Sequence, residues 1–217
     1  MTDQNNDWVK RLAGRFLVLD GPDGSGKSTQ FQRLERLVRL SGQAVCTVRE
    51  PGGTSIGEQI RDVLLDTANS KMEPRCEMLL YMASRAQLVA QRIAPALGRG
   101  QFVMADRFIS STLAYQGAAG GLSQADILRV GQIAVGSCWP DLVVVFDVDE
   151  ETALGRLGST LDRMEQKGVD FRSRVRHGYL EQAKADHDRY LIIDAAPDPD
   201  TVFDALIAAI QEKADGW

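Results

Sequence analysis

The chain has 217 residues, of which 44 % are hydrophobic and 25 % charged, and its formal net charge is −5. This is the profile of one globular α/β domain able to bury a full core. With no block of like charge and no apolar run near the ~20 residues of a bilayer span, a general nucleic-acid or membrane-binding surface is excluded.

In chain order, residues 1–13 are polar at first, without an apolar signal region, and are expected to be flexible. An apolar run at 16–19 predicts a buried strand. Directly after it come Gly21, Pro22, Asp23, Gly24, Ser25, Gly26, Lys27, Ser28 and Thr29, which fit G-x-x-x-x-G-K-[ST] at every fixed position. Each fixed residue answers a need of a nucleoside triphosphate. Glycines let backbone N–H groups turn toward phosphate oxygens, Lys27 reaches the β- and γ-phosphates, and the Ser28 hydroxyl suits Mg²⁺. Apolar residues at three- and four-residue steps then predict a helix over 27–41, whose N-terminus favours anions.

A second strand at 44–48 runs into Arg49-Glu50-Pro51-Gly52-Gly53, a special turn at a strand end, with a cis Glu50–Pro51 bond possible. Arg49 either holds a phosphate or is a surface arginine on a strand-to-helix turn. Helices are predicted over 56–66 and 75–98. In the second, Tyr81 and Arg85 share one face and suit a nucleobase, although a core tyrosine beside a surface ion fits the same spacing. A third strand at 101–105 ends in Asp106-Arg107. Asp106 suits the acid that supports Mg²⁺ next to a phosphate loop; Asp147, after the strand at 142–146, is the alternative. Residues Ser110 to Gln116 suit a polar pocket, a helix N-cap, or both, and 117–121 reads as a mobile loop.

Helices over 123–137, 150–158, 172–187 and 199–213, with a last strand at 190–193, complete an alternating pattern. It implies right-handed βαβ units, and ligands at the carboxyl ends of the strands. The segment 151–168 carries glycines, Arg156, Arg163 and Lys167. It suits a mobile lid supplying positive charge, although Asp162 and Glu165 dilute it as on a solvated helix face. Cys46, Cys76 and Cys138, odd in number and far apart, read as reduced thiols of a cytoplasmic protein.

Taken together, the 20–29 loop, Arg49 to Gly53, Tyr81 with Arg85, Asp106-Arg107-Phe108 leading to Ser111 and Tyr115-Gln116-Gly117, and Leu161-Asp162-Arg163-Met164-Glu165 resemble the thymidylate kinase family over roughly residues 14–212. The resemblance implies a P-loop NTPase fold in one kinase domain spanning 1–217: a five-stranded parallel sheet with helices on both faces and a small lid. It implies γ-phosphoryl transfer from ATP to dTMP with Mg²⁺. Gly21 through Thr29 and Arg156 would bind ATP. Arg49, Glu50, Tyr81, Arg85, Arg107, Ser111, Thr112, Tyr115 and Gln116 would bind dTMP. Lys27, Asp23 and Arg163 would act in catalysis, and Ser28 and Asp106 would support the metal. The partners expected are ATP, dTMP and a second copy in a homodimer, with no nucleic acid and no membrane. A kinase for another nucleoside monophosphate is the alternative. A binding-only nucleotide switch is disfavoured, since the chain has no Asn-Lys-x-Asp tetrapeptide.

Overall fold

Five apolar runs form one parallel sheet. The computed structural model describes residues 7–157 and 162–217. Strands β1 (Phe16–Asp20), β2 (Val45–Arg49), β3 (Phe102–Asp106), β4 (Leu142–Asp147) and β5 (Tyr190–Asp194) lie in the order β2-β3-β1-β4-β5. All four neighbouring pairs are parallel. Parallel neighbours need crossover connections, which the helices supply. Alternate strand residues feed two separate cores. Phe16, Val18, Val103 and Val143 belong to one, and Leu17, Leu19, Met104 and Val144 to the other. A sheet covered on both faces needs apolar residues at every position, which is why these strands read as continuous apolar runs rather than alternating ones.

The helices are α1 (Asp7–Lys10), α2 (Lys27–Leu40), α3 (Ser55–Leu65), α4 (Pro74–Leu88), α5 (Ala94–Gly98), α6 (Ile109–Thr112), α7 (Gln124–Val135), α8 (Glu150–Arg156), α9 (Val169–Ala185) and α10 (Pro199–Ala214). A π-turn at Val89–Ile93 joins α4 to α5, and α6 widens into a π-helix over Leu113–Ala119. Wide turns of this kind are often found at functional sites.

Three differences from the sequence reading have physical causes. β1 to β5 each run to a polar residue, Asp20, Arg49, Asp106, Asp147 and Asp194, because backbone pairing continues past the last apolar side chain. Residues 7–13 are not loose: Trp8, Val9 and Leu12 are buried in the second core. The stretch 117–121 is not simply a loop, since Gly117 and Ala119 end a buried helix. That helix lies close against α9 at Gly178, where a Cβ would come 2.6 Å from the Ala118 Cβ. Of the proposed lid, residues 158–161 lie outside the described residues.

Candidate active site

The phosphate loop joins the carboxyl end of central strand β1 to the first turn of α2. Gly24 and Gly26 adopt φ of 80° and 77°. At Gly24 a side chain would also collide with the Ala153 carbonyl of α8, so the loop tolerates only glycine there. No side chain caps α2, which leaves its first amides for an anion. The Ser25 hydroxyl is buried without a partner among the described residues. Lys27 is nearly buried, with Nζ 3.5 Å from Asp106 Oδ1. On this side lies a cavity of about 670 Å³, walled by residues 23–30, Arg156, Glu165 and the turn from Ala195 to Pro199. Arg156 is held there by the Ala195 and Ala196 carbonyls at 2.8 and 2.9 Å.

A second cavity, of about 250 Å³, opens beyond Lys27. Arg49, Glu50, Tyr81, Asp106, Arg107, Ser111, Thr112, Tyr115 and Gln116 line it. Asp23, Lys27, Ser28 and Glu165 line both cavities. The two spaces therefore meet at the loop lysine.

Arg107 is the most constrained residue of the second cavity. It has φ of 70°, unusual for a side chain other than glycine. Its Nη2 donates to Asp23 Oδ1 at 2.5 Å, and its Nη1 donates to Ser111 and Tyr179 at 3.1 Å each. Beneath it, buried Asp20 accepts from Ser110 at 2.6 Å, Ser111 at 2.7 Å and Tyr179 at 2.5 Å. Burial pushes the Asp23 carboxyl up, but Arg107, Lys27 and the Tyr115 hydroxyl outweigh it and hold Asp23 below the usual carboxylate range. Burial raises the Tyr115 and Tyr179 phenols, so both act as neutral donors.

Arg85 does not line either cavity. It is buried behind the wall, where Nε and Nη2 reach Glu50 Oε2 at 2.8 and 2.5 Å, and the other donors reach Thr112 and the Phe108 carbonyl. Burial pushes Glu50 up to about 7 against the pull of Arg85. The Glu50–Pro51 bond is cis. Arg163 also stands apart from the phosphate loop. It pairs with buried Glu77 at 2.6 Å and donates to the Leu64 carbonyl at 2.6 Å. A buried carboxylate demands a cation, and Arg163 supplies it here.

A family model described as Thymidylate kinase matches residues 19–206. The chain belongs to the thymidylate kinase family. It is 45 % identical to the thymidylate kinase of Desulforudis audaxviator, over 92 % of this chain and 91 % of that one. It is 44 % identical to that of Deinococcus radiodurans, over 92 % and 98 %. The crystal structure of thymidylate kinase from Ehrlichia chaffeensis superposes with a TM-score of 0.76 at 30 % identity, covering 92 % of this chain and 99 % of that one. As a member of the thymidylate kinase family, this chain is a phosphotransferase with a P-loop NTPase fold.

Against this thymidylate kinase frame, the structure brings most of the sequence-selected residues together. Asp23 through Thr29 and Arg156 sit in the first cavity; Gly21 and Pro22 lead into it without lining it. Of the two strand-end acids, Asp147 has both oxygens taken by Arg176, at 2.6 and 2.8 Å. Asp106 faces both Lys27 and the cavity. The reading from sequence missed three residues. Arg61 lines the second cavity and donates to the Pro51 carbonyl. Burial and the nearby Arg49 cation hold it below the ordinary arginine range. Tyr179 passes for an ordinary core aromatic in the sequence. Glu77, one turn before Tyr81, carried no local signal.

Proposed function

We propose that the first cavity takes ATP and the second takes dTMP, with the γ-phosphoryl group passing between them at Lys27. The reaction is ATP + dTMP = ADP + dTDP. The observation that carries this reading is that Asp23, Lys27, Ser28 and Glu165 line both cavities, as in-line transfer between two bound nucleotides requires.

The acceptor is already an anionic phosphate, so catalysis is alignment and charge neutralisation rather than strong base chemistry. Lys27 offsets charge on the β- and γ-phosphates while the glycine loop and Thr29 hold the phosphate chain. Arg49 and Arg107 hold the acceptor phosphate, with Arg61 beside them. Tyr81 stacks on thymine, and Ser111, Thr112, Tyr115 and Gln116 take the sugar and base edge. Arg85 acts from behind this wall by fixing Thr112, and Glu50, which lines the cavity, holds Arg85 in place. Asp23 stands between donor and acceptor and orients Arg107. Arg156 packs over the ATP side, and residues 151–168 close over both substrates to exclude water. The whole chain works as one kinase domain.

The residues present fit Mg²⁺. Asp106 Oδ1 is buried without a hydrogen-bond partner among the described residues, and Ser28 lines the same space. Among the described residues no cluster of three or more His, Cys, Asp or Glu forms a cage, which suits an ion held mainly by substrate phosphates. Bound by Ser28 and Asp106, Mg²⁺ would neutralise charge on the phosphate chain. Large apolar side chains exposed on α3, α4 and α7, including Val63, Leu79 and Ile133, support a homodimer, checked by sedimentation. A cytoplasmic setting suits three free thiols. Among the described residues no helix is long and apolar enough to cross a membrane.

The test is ADP release across dTMP, dUMP, UMP, AMP, CMP and GMP. dTMP is expected to give the highest kcat/KM; preference for another monophosphate would overturn the assignment.

A further inference from the structure

Glu77 lies on α4, one turn before Tyr81, and is 2 % exposed. Its Oε1 accepts from Gln116 Nε2 at 2.7 Å. Its Oε2 accepts from Arg163 Nη1 at 2.6 Å, and Lys167 Nζ lies 3.2 and 3.1 Å from the two oxygens. Burial raises the Glu77 carboxyl, but Gln116, Lys167 and Arg163 outweigh it and keep it ionised. An ionised carboxylate only accepts hydrogen bonds. It therefore decides which end of the Gln116 amide it will tolerate: the NH₂ must face Glu77. The amide oxygen and the second amide hydrogen are left for the cavity that Gln116 lines.

We infer that Glu77 is a positioning residue for base choice, pinning the Gln116 amide in the sense that matches thymine and opposes cytosine. The inference rests on the second cavity being the dTMP site. Thymine presents N3–H as a donor and O4 as an acceptor, and the pinned amide answers with its oxygen and its free N–H. Cytosine presents N3 as an acceptor and an amino group at C4, so the same amide meets each with a like group. Buried polar groups left facing like groups are how a site rejects a near-isostere. Arg163 and Lys167 belong to the segment 151–168, so the same carboxylate ties the base pocket to that segment.

The test is Glu77→Gln. Arg163 and Lys167 claim the oxygen of the new amide, so its NH₂ turns to Gln116 and reverses it. The ratio of dTMP to dCMP affinity, read by calorimetry, should fall about 10- to 100-fold, the cost of leaving a buried donor or acceptor without its partner. In kinetics the change should fall on KM for the monophosphate, with KM for ATP unchanged. A folded variant with the unaltered ratio overturns the inference, as does an equal loss of affinity for both nucleotides. Should Glu77→Gln not fold, a crystal structure of the unaltered protein with dTMP decides. Gln116 Nε2 must stay within hydrogen-bond reach of Glu77, and a side chain swung away from it overturns the inference. Failure of the unaltered protein to phosphorylate dTMP would instead sink the assignment of the cavity.

Discussion

Arg107 combines two costs that mutation can separate. Its guanidinium is held by Asp23, Ser111 and Tyr179 in the wall of the second cavity. Its backbone sits at φ of 70°. Arg107→Ala and Arg107→Gly both remove the guanidinium and leave the same carboxylates unpaired, so that loss cancels when the two are compared. What differs is the backbone. The left-handed conformation costs alanine about 1–2 kcal/mol, while glycine adopts it freely. Glycine in turn loses about 0.4–1 kcal/mol through its more flexible unfolded chain. Taken at their midpoints, these two effects leave Arg107→Gly the more stable by about 0.8 kcal/mol, the reverse of the usual order. For a chain of this size that is a Tm difference of about 1–4 °C, readable by differential scanning calorimetry. In kinetics the two should match: KM for dTMP rises about 10- to 150-fold, from charge-assisted hydrogen bonds worth about 1.5–3 kcal/mol, while KM for ATP holds. An alanine variant as stable as the glycine one would refute the strain argument. Equal rises in both KM values would move Arg107 off the acceptor.

Lys27→Ala should lower kcat about 10²- to 10³-fold in a folded protein, since one preorganised electrostatic donor carries that much; retention of a tenth of the activity would remove it from the chemistry. Tyr81→Ala should weaken dTMP binding by about 1–3 kcal/mol and Tyr81→Phe hardly at all, because stacking needs the ring alone; calorimetry reads both. Glu50 has a folded pKa raised from 4.5 to about 7, so the folded state holds its proton more tightly than the unfolded chain, and this group's contribution to stability falls as pH rises from about 4.5 to 7. Urea unfolding at pH 5 and pH 7.5 should show that decline shrinking in Glu50→Gln, and an unchanged decline would assign it elsewhere. Arg156→Ala should weaken ATP binding, because Arg156 lines the first cavity and Arg163 does not; steady-state kinetics showing a kcat loss with unchanged KM for ATP would reverse that.

What the sequence made legible was local. The run Phe16 to Leu19, the glycine spacing and the apolar periodicity of α2 all lie within one strand-loop-helix unit, and so could be read together. The acids and arginines at strand ends were legible for the same reason: they adjoin an apolar run. The misses are residues whose partner is distant in sequence. Tyr179 looks like core packing until its hydroxyl reaches Asp20, 159 residues away. Arg61 on α3 looks like a surface ion until the turn at Pro51 folds back over it. Arg85 and Arg163 were read as reaching outward to ligands. Glu50 stood out only as part of its turn and Glu77 not at all, and no local pattern announced that these buried carboxylates hold the two arginines.

The same pairing explains how the site keeps its cations ready. Lys27 lies where the two cavities meet and Arg107 lines the second, and unpartnered the two cations would repel each other. Asp106 stands 3.5 Å from Lys27, and Asp23 stands 2.5 Å from Arg107. Asp20 sits beneath Arg107 and is itself saturated by hydroxyl donors. Each carboxylate offsets the repulsion and fixes its cation's direction before any nucleotide arrives. Little reorganisation then remains for the moment of transfer, which is where preorganised charges act most strongly. The arrangement also sets an order of importance. Removing a carboxylate should disturb the cation it holds, whereas removing a cation disturbs the phosphate directly, so the larger kinetic losses belong to Lys27 and Arg107.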